Sequence, residues 1–210
     1  MNRDSILIEA DELLKKLDNE NIRIYDATIT DDMYLQGHIP AAAFFDHEKF
    51  SDPGAAYMYT ILPETELAAQ IGNIGISEDS EVVFYACGML PFAARAWWIL
   101  HYAGHNNVRI LNGGISAWKE TGGAIEQEVH HYEPSIFKCR LRPNMFASKE
   151  DVLAAMDDRD VCTVNVIPLE SYEAAHIVGS SWLSCFDLMQ EMNSFLTDDQ
   201  LALRLTEEAQ

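Results

Sequence analysis

Residues 81–93 read Glu-Val-Val-Phe-Tyr-Ala-Cys-Gly-Met-Leu-Pro-Phe-Ala, and they carry the clearest structural signal in the chain. The apolar run Val82–Tyr85 is typical of a strand that is buried on both faces, as strands of parallel sheets are. A helix is predicted from Phe92 to Ala103, ending at Gly104. A buried strand, a short loop and a helix together form the repeating unit of a parallel α/β sheet.

Strand and helix patterns also alternate on both sides of this unit. They predict helix Ile6–Leu17, strand Ile22–Asp26, helix Pro63–Ile71, strand Val108–Leu111 and a helix from Gly114 to Lys119. This alternation with short loops predicts an α/β fold whose parallel sheet is flanked by helices on both faces.

The composition excludes several classes of protein. Of the 210 residues, 48% are hydrophobic, which fills a core and excludes a disordered chain. The formal net charge is −20, so the chain repels phosphate backbones and we expect no nucleic-acid partner. No stretch approaches the roughly 20 apolar residues that a bilayer span requires, so we expect no membrane partner either.

The N-terminal residues and the cysteines favour a cytoplasmic location. The opening stretch MNRDSILIEADELL turns acidic too soon for a secretory signal, so the thiols are expected to be reduced. Cys87, Cys139, Cys162 and Cys185 form no C-x-x-C pair, which argues against a zinc site. His130 and His131 are adjacent and lack the spacing of a helical ligand pair, so no metal is expected.

The pattern divides the chain into a first domain at residues 1–125, a linker at 126–143 and a second unit at 144–210. The linker carries mixed charge and no sustained period. After it, residues 171–179 repeat the pattern of residues 33–40, Tyr followed four positions later by His-Ile, which indicates a weak internal repeat. Ser148 caps a predicted helix, Val161–Val166 reads as a strand that contains Cys162, and a last helix runs from Asp198 to about Leu205.

The second unit is short and has no counterpart of the Val82–Tyr85 strand. A parallel sheet without its central strand leaves apolar faces and edges unpaired. We therefore expect this unit to pack against the first domain or to contact a partner chain, as in a homo-oligomer. The remaining possibility is that it is the remnant of a complete domain.

Cys87 is the cysteine whose position suggests chemistry. It follows the carboxyl end of a buried strand, where open α/β sheets place their ligands. The helix that follows presents free N–H groups and a partial positive charge, so we expect the pKa of Cys87 to lie below that of a free thiol. The alternative interpretation is a buried structural cysteine in a connector.

From about Leu7 to Thr121 the chain resembles a rhodanese domain, closest to the N-terminal halves of thiosulfate and 3-mercaptopyruvate sulfurtransferases. Residues 144–205 resemble, more faintly, the opening of the second domain of those tandem enzymes. The resemblance rests on the following motifs, which occur in the family's order: Tyr25-Asp-Ala27, Gly37-His-Ile-Pro40, Ala43-Phe-Phe-Asp46, Leu62-Pro63, Gly75-Ile-Ser77, Val82-Val-Phe-Tyr85, Ala93-Ala-Arg-Ala-Trp-Trp98, Gly104-His105, Asn107-Val-Arg109 and Leu111-Asn-Gly-Gly-Ile-Ser-Ala-Trp118.

The resemblance implies a sulfurtransferase. In the family, a cysteine thiolate takes a sulfane sulfur from a small sulfur-containing anion, such as thiosulfate or 3-mercaptopyruvate. It becomes a persulfide and passes the sulfur to a thiol or to cyanide, without metal or organic cofactor. Cys87 lies seventeen positions before Gly104, as the family's catalytic cysteine does before its helix-ending glycine. The residues then expected to bind substrate are Gly88, Met89, Leu90, Phe92, Ala93 and Arg95.

Three departures from the family pattern favour an alternative, an inactive rhodanese-like module that binds a partner or serves as a scaffold. In the tandem enzymes the second domain carries the active site, and this chain ends before that position. Pro91 cannot donate an N–H to the loop. Thr28 stands where many members have an arginine. A cysteine phosphatase of related fold would need Cys-x5-Arg, and position 93 is alanine.

The remaining candidates are expected to support the structure. Asp26 is expected to orient loops by accepting backbone hydrogen bonds, and His38 to pack within its turn. Arg95 forms either a substrate contact or a structural ion pair, for which Asp26 is one candidate. Trp97, Trp98 and Trp118 are expected in the core, as is Cys162, whereas Cys139 or Cys185 could resolve a persulfide of Cys87 as a disulfide.

Overall fold

The computed structural model describes residues 2–208, and the chain divides into two compact units between Arg142 and Pro143. Within the described residues, no helix is both long and apolar enough to span a bilayer.

The first unit is built on a five-stranded parallel sheet. Its strands are β1 (Leu7–Ile8), β2 (Ile22–Asp26), β3 (Ala43–Phe44), β4 (Glu81–Tyr85) and β5 (Val108–Leu111). Their spatial order is β1-β5-β4-β2-β3, so β4 lies at the centre of the sheet between β5 and β2. The predicted parallel α/β fold is therefore confirmed.

Helices cover both faces of this sheet. They are α1 (Ala10–Leu14), α2 (Asp32–Gln36), α3 (Glu64–Asn73), α4 (Leu90–Tyr102) and α5 (Gly114–Glu120). On one face Val83 and Tyr85 pack with residues of α1 and α5 in a cluster that includes Leu13 and the fully buried Trp118. Side chains alternate along a strand, so Phe84 points to the opposite face, where its ring contacts those of Tyr25 and Phe45.

The prediction of a helix over Ile6–Leu17 was wrong at both ends, because α1 spans only Ala10–Leu14. Leu7 and Ile8 form β1 and pair in parallel with Ile110 and Leu111 of β5, and the helix begins only at Ala10. Pairing with the sheet buries both residues, and that burial outweighs the helical spacing of the local sequence.

Residues 124–142, which include most of the predicted linker, run along the first unit, and we call this segment the strap. Backbone hydrogen bonds join His38 to Glu126 in both directions, Ser135 N–H to the Gly72 carbonyl and Arg140 N–H to the Ala103 carbonyl. The strap also buries Phe137 and places the Tyr132 hydroxyl where it accepts from the Ile24 N–H, at 2.9 Å. It is therefore part of the first unit.

Glycines let the strap approach closely. A Cβ on Gly72 would lie 2.5 Å from the Ser135 carbonyl oxygen, and one on Gly75 would lie 2.4 Å from the Cβ of Tyr132. Gly75 also adopts a φ of +88°, which side chains rarely tolerate.

The second unit contains α6 (Lys149–Ala155), β6 (Val164–Asn165), α7 (Leu169–Ala174), β7 (Ser181–Trp182), β8 (Met189–Gln190), β9 (Ser194–Phe195) and α8 (Asp198–Glu208). Strands β6 and β7 are parallel, and β8 and β9 form an antiparallel hairpin. The Ser148 cap is confirmed, because its side chain and that of Asp151 form a reciprocal capping box. The strand predicted at Val161–Val166 spans only two residues. Cys162 lies outside it and is exposed, so its assignment to the core was wrong.

The hydrogen bonds confirm the internal repeat. Tyr34 stacks on His38 with ring centroids 3.9 Å apart, and Tyr172 stacks on His176 at 4.1 Å. In both copies the histidine Nδ1 lies 2.8 Å from the tyrosine carbonyl oxygen, and the tyrosine hydroxyl donates to a backbone carbonyl eight positions on. Strands β6 and β7 correspond to β2 and β3. Over residues 143–208 no strand pairs with β6 as β4 pairs with β2.

Candidate active site around Cys87

Cys87 lies just beyond the carboxyl end of β4, in the loop that leads to α4. Gly88, next in the chain, has a φ of +79° and is exposed, which turns the backbone toward the start of α4 at Leu90. The backbone N–H of Cys87 donates to Thr28 Oγ1 at 2.9 Å. The end of β4 and the end of β2 are thus joined at the site.

Asp26 is the buried acid beneath this loop, with 1% of its surface exposed. Its Oδ1 accepts the Thr28 N–H at 2.9 Å and also the Thr28 hydroxyl. Its Oδ2 makes no hydrogen bond within residues 2–208, although the Tyr85 hydroxyl lies near enough to help lower its pKa. Burial outweighs these contacts and raises the pKa of Asp26 above its ordinary value.

The Cys87 thiol is half-buried and packs against the core cluster on the α1 and α5 face. No described group donates a hydrogen bond to its Sγ. Burial raises the pKa of the thiol and the negative charge of Asp26 raises it further, while Lys119 opposes them. The prediction of a lowered pKa was therefore wrong, because position at a helix start does not ensure contact with the helix amides.

The residues at the helix start add no side-chain donor to the loop. Met89 is the N-cap residue of α4 and provides no side-chain hydrogen bond, and Pro91 in the first turn has no N–H. The Phe92 N–H donates to the Met89 carbonyl oxygen at 3.2 Å.

The predicted substrate-binding residues separate into two groups. Leu90 is 3% exposed and Ala93 is fully buried, so their side chains belong to the core and only their backbones could contact a ligand. Gly88 is exposed, and Met89 and Phe92 are half-buried beside it.

Arg95 does not pair with Asp26, so that candidate ion pair was wrong. Its guanidinium donates to His47 Nδ1 at 2.8 Å, to Ser51 Oγ at 3.2 Å and to the Tyr59 carbonyl oxygen at 3.3 Å. It also lies 5.0 Å from the centre of the Tyr59 ring. Burial lowers the pKa of Arg95 below its ordinary value.

His47 is the residue near the site that the sequence did not reveal. It is 2% exposed, and its Nε2 donates to the Ala27 carbonyl oxygen at 2.7 Å while Nδ1 accepts from Arg95. Burial lowers its pKa, and because Nδ1 accepts a hydrogen bond from an arginine, that nitrogen carries no proton. A lone histidine after Asp46 gives no periodic or motif signal that would have identified it.

Replacing Arg95 with methionine is expected to destabilise the first unit by about 2 kcal/mol, because the buried His47 Nδ1 loses its donor. The rate at which iodoacetamide alkylates Cys87 should change less than about twofold, because the hydrogen bonds of Arg95 go to His47, Ser51 and Tyr59 and not to the thiol. Urea unfolding is followed by tryptophan fluorescence in a Trp182→Phe background, which leaves Trp97, Trp98 and Trp118 of the first unit. Arg140→Met, at a side chain that is 78% exposed, is the control. A tenfold loss of Cys87 reactivity would contradict the structural role.

The other residues considered from the sequence, His38 and the tryptophans, contact parts of the fold. His38 is fully buried, with Nδ1 and Nε2 near the carbonyl oxygens of Tyr34 and Glu128. Trp118 lies in the core as expected, whereas Trp97 and Trp98 are only half-buried. Over the described part of the chain, His, Cys, Asp and Glu side chains form no group of three that could hold a metal ion.

Comparison with known proteins identifies similar sequences. A family model described as Rhodanese-like domain matches residues 9–121, more than half of the chain. Thiosulfate sulfurtransferase of Bos taurus is 35% identical over 128 residues, which are 60% of this chain but 43% of that protein. The chain thus matches less than half the length of that relative. The 3-mercaptopyruvate sulfurtransferase of Escherichia coli K12 is 26% identical over 91% of this chain and 75% of its own length.

Solved structures extend the likeness over nearly the whole chain. The crystal structure of SseA from Escherichia coli, described as a 3-mercaptopyruvate sulfotransferase with the rhodanese fold, has a TM-score of 0.90 and 26% identity. The match covers 97% of this chain and 84% of that one. Tum1 protein from Saccharomyces cerevisiae shares the fold, with a TM-score of 0.85 at 18% identity.

Proposed function

The chain belongs to the rhodanese-like domain family, and from this premise we propose that it transfers sulfane sulfur through a persulfide of Cys87. The observation that carries the proposal is the position of Cys87. It is a free, half-buried thiol at the carboxyl end of the central strand, in the loop before α4. Its relatives' names support sulfur transfer as the reaction class.

The proposed reaction has two displacements at sulfur. The Cys87 thiolate attacks the outer sulfur of thiosulfate, an S–S bond forms, and sulfite leaves with the electron pair of the broken bond. A thiol or cyanide then attacks the outer sulfur of the persulfide and regenerates the Cys87 thiolate. Neither step needs a metal or a redox cofactor. Thiols kept reduced suit a cytoplasmic location, which we propose for the reaction.

The raised pKa of Cys87 sets the expected pH dependence. Only the thiolate attacks, and near neutral pH a thiol with a raised pKa is almost entirely protonated. Sulfur uptake should therefore be slow at neutral pH and should accelerate as the pH rises toward the thiol pKa.

Intact-protein mass spectrometry tests the proposal. The protein is incubated with thiosulfate, with 3-mercaptopyruvate and with a low-mass persulfide, and we expect a gain of one sulfur atom that mapping places on Cys87. Cys87→Ser should show no gain, whereas Cys162→Ser, at an exposed thiol, should behave like the wild type. Sulfur uptake that persists in Cys87→Ser, or no uptake from any donor, would overturn the proposal.

The second candidate is a rhodanese-like module without catalytic activity, which binds a partner or serves as a scaffold. The observation that favours it is the surroundings of the sulfur, where no described group donates a hydrogen bond and Asp26 disfavours the anion. Within residues 143–208, β6 pairs only with β7, and its other edge would be one contact surface for a second copy of the chain. Absence of sulfur uptake together with a dimer in solution would support this alternative.

A further inference from the structure

The electrostatic surroundings of Cys87 are unusual for a site that would bind a sulfur-containing anion. The buried Asp26 carboxyl group lies close enough for its negative charge to disfavour the thiolate. The chain as a whole carries a formal charge of −20. A negatively charged donor is therefore repelled both by Asp26 and by the net charge of the chain.

The described cations near the loop compensate only in part. Arg95, the arginine of the loop's own helix, is bound by His47, Ser51 and the Tyr59 carbonyl oxygen, and Tyr59 covers its guanidinium. Lys119 on α5 is near enough to favour the thiolate, but its effect is smaller than that of Asp26.

Several neutral donors of the loop are also committed or missing. The Thr28 hydroxyl has a single proton, which it gives to Asp26, and its oxygen accepts the Cys87 N–H. Pro91 has no N–H, and the half-buried Met89 and Phe92 present apolar surface. The loop thus lacks the charged hydrogen bonds that hold small oxyanions.

From this geometry we infer that Cys87 accepts sulfur from donors whose leaving thiol is neutral or cationic, in preference to anionic donors such as thiosulfate. The inference rests on the proposed function. In the step, the Cys87 thiolate attacks the outer sulfur of R–S–S–H and forms Cys87–S–S–H. The bond between the two donor sulfurs breaks, and R–S⁻ leaves and takes up the proton that Cys87 released.

Thiol–disulfide exchange measures the charge preference without requiring sulfur transfer. A variant with Cys139, Cys162 and Cys185 replaced by serine reacts with cystamine (cationic), bis(2-hydroxyethyl) disulfide (neutral) or dithiodiglycolate (anionic). Rates are normalised to those of a small cysteine peptide. We expect cystamine to exceed dithiodiglycolate by about tenfold or more, with the difference shrinking in about 1 M salt. Equal normalised rates, or a faster anionic disulfide, would overturn the inference.

A matched pair of loop variants tests whether the preference arises at the site. Met89→Lys adds a cation two residues from Cys87 and should reduce the cationic preference by at least about threefold, whereas Met89→Gln should leave it unchanged. Identical preferences in both variants would show that the whole-chain charge is responsible and would contradict a local origin.

The last experiment compares a cationic sulfur donor with an anionic one. Cysteamine persulfide should transfer its sulfur to Cys87 faster than thiosulfate does. If the disulfide series shows the preference and neither donor transfers sulfur, the proposed function fails while the charge preference stands. If both donors transfer sulfur and thiosulfate is faster, the proposed function stands and the inference fails.

Discussion

Replacing Gly75 with alanine is expected to lower the free energy of unfolding of the first unit by about 3 kcal/mol. Part of the loss comes from a φ of +88°, which an L-residue adopts at a cost. The larger part comes from the strap, because the new Cβ would lie 2.4 Å from the Cβ of Tyr132 and 2.9 Å from the Glu133 carbonyl oxygen. To relieve these contacts the strap must move, and Ile24 then loses the Tyr132 hydroxyl as its acceptor.

Gly122→Ala is the matched control, because Gly122 has a φ of +79° and a Cβ there would meet nothing within 4 Å. It should lose only about 1 kcal/mol, the cost of the backbone conformation alone. Urea unfolding in the Trp182→Phe background measures both variants. Trypsin should also cut Gly75→Ala faster after Lys138 and Arg140, which lie in the strap. Equal losses in the two variants would contradict a tightly held strap.

Replacing Asp26 with asparagine is expected to increase the alkylation rate of Cys87 about threefold to tenfold at neutral pH. The change removes the negative charge that raises the pKa of the thiol, so more thiolate is present. Asparagine can keep the loop in place, because in the second copy of the repeat Asn165 Oδ1 accepts the Ile167 N–H at 3.2 Å. Asp11→Asn, at an exposed carboxylate of α1, should leave the rate unchanged.

The same variant tests the raised pKa of Asp26. The folded protein keeps the Asp26 proton at pH values where the unfolded chain has lost it. Unfolding free energy therefore falls as the pH rises from about 4 through the folded pKa of Asp26, and is constant for this group above it. The stability of Asp26→Asn relative to the wild type should thus increase over that range. A relative stability that does not change with pH would contradict a raised pKa.

The sequence predicted the centre of the fold well. Strands Ile22–Asp26 and Val108–Leu111 have the predicted bounds, and α4 begins two residues before its predicted start. Long apolar runs and helix caps are local signals, so one sequence reveals them. Strands of two residues, such as β1 and β3, are too short to show a period, and only their pairing in the sheet defines them.

The strap and the electrostatics of the site could not be predicted in the same way. The strap is held by backbone hydrogen bonds and by close approach to Gly72 and Gly75, and neither contact requires apolar periodicity in the strap itself. The position of Cys87 after β4 was evident, but the pKa of its thiol depends on burial and on Asp26, sixty-one positions earlier. His47 and Arg95 are likewise paired only through the fold.

The path of the strap has a practical consequence for dissecting this protein. A fragment cut at residue 125, where the sequence pattern changes, would remove Phe137 from its site and leave Gly72 and Ala103 without the amides that meet their carbonyls. A cut after Arg142 keeps these groups satisfied, together with the 2.7 Å contact between Arg142 and His101. Recombinant shuffling of such domains should therefore exchange residues 2–142 as one block.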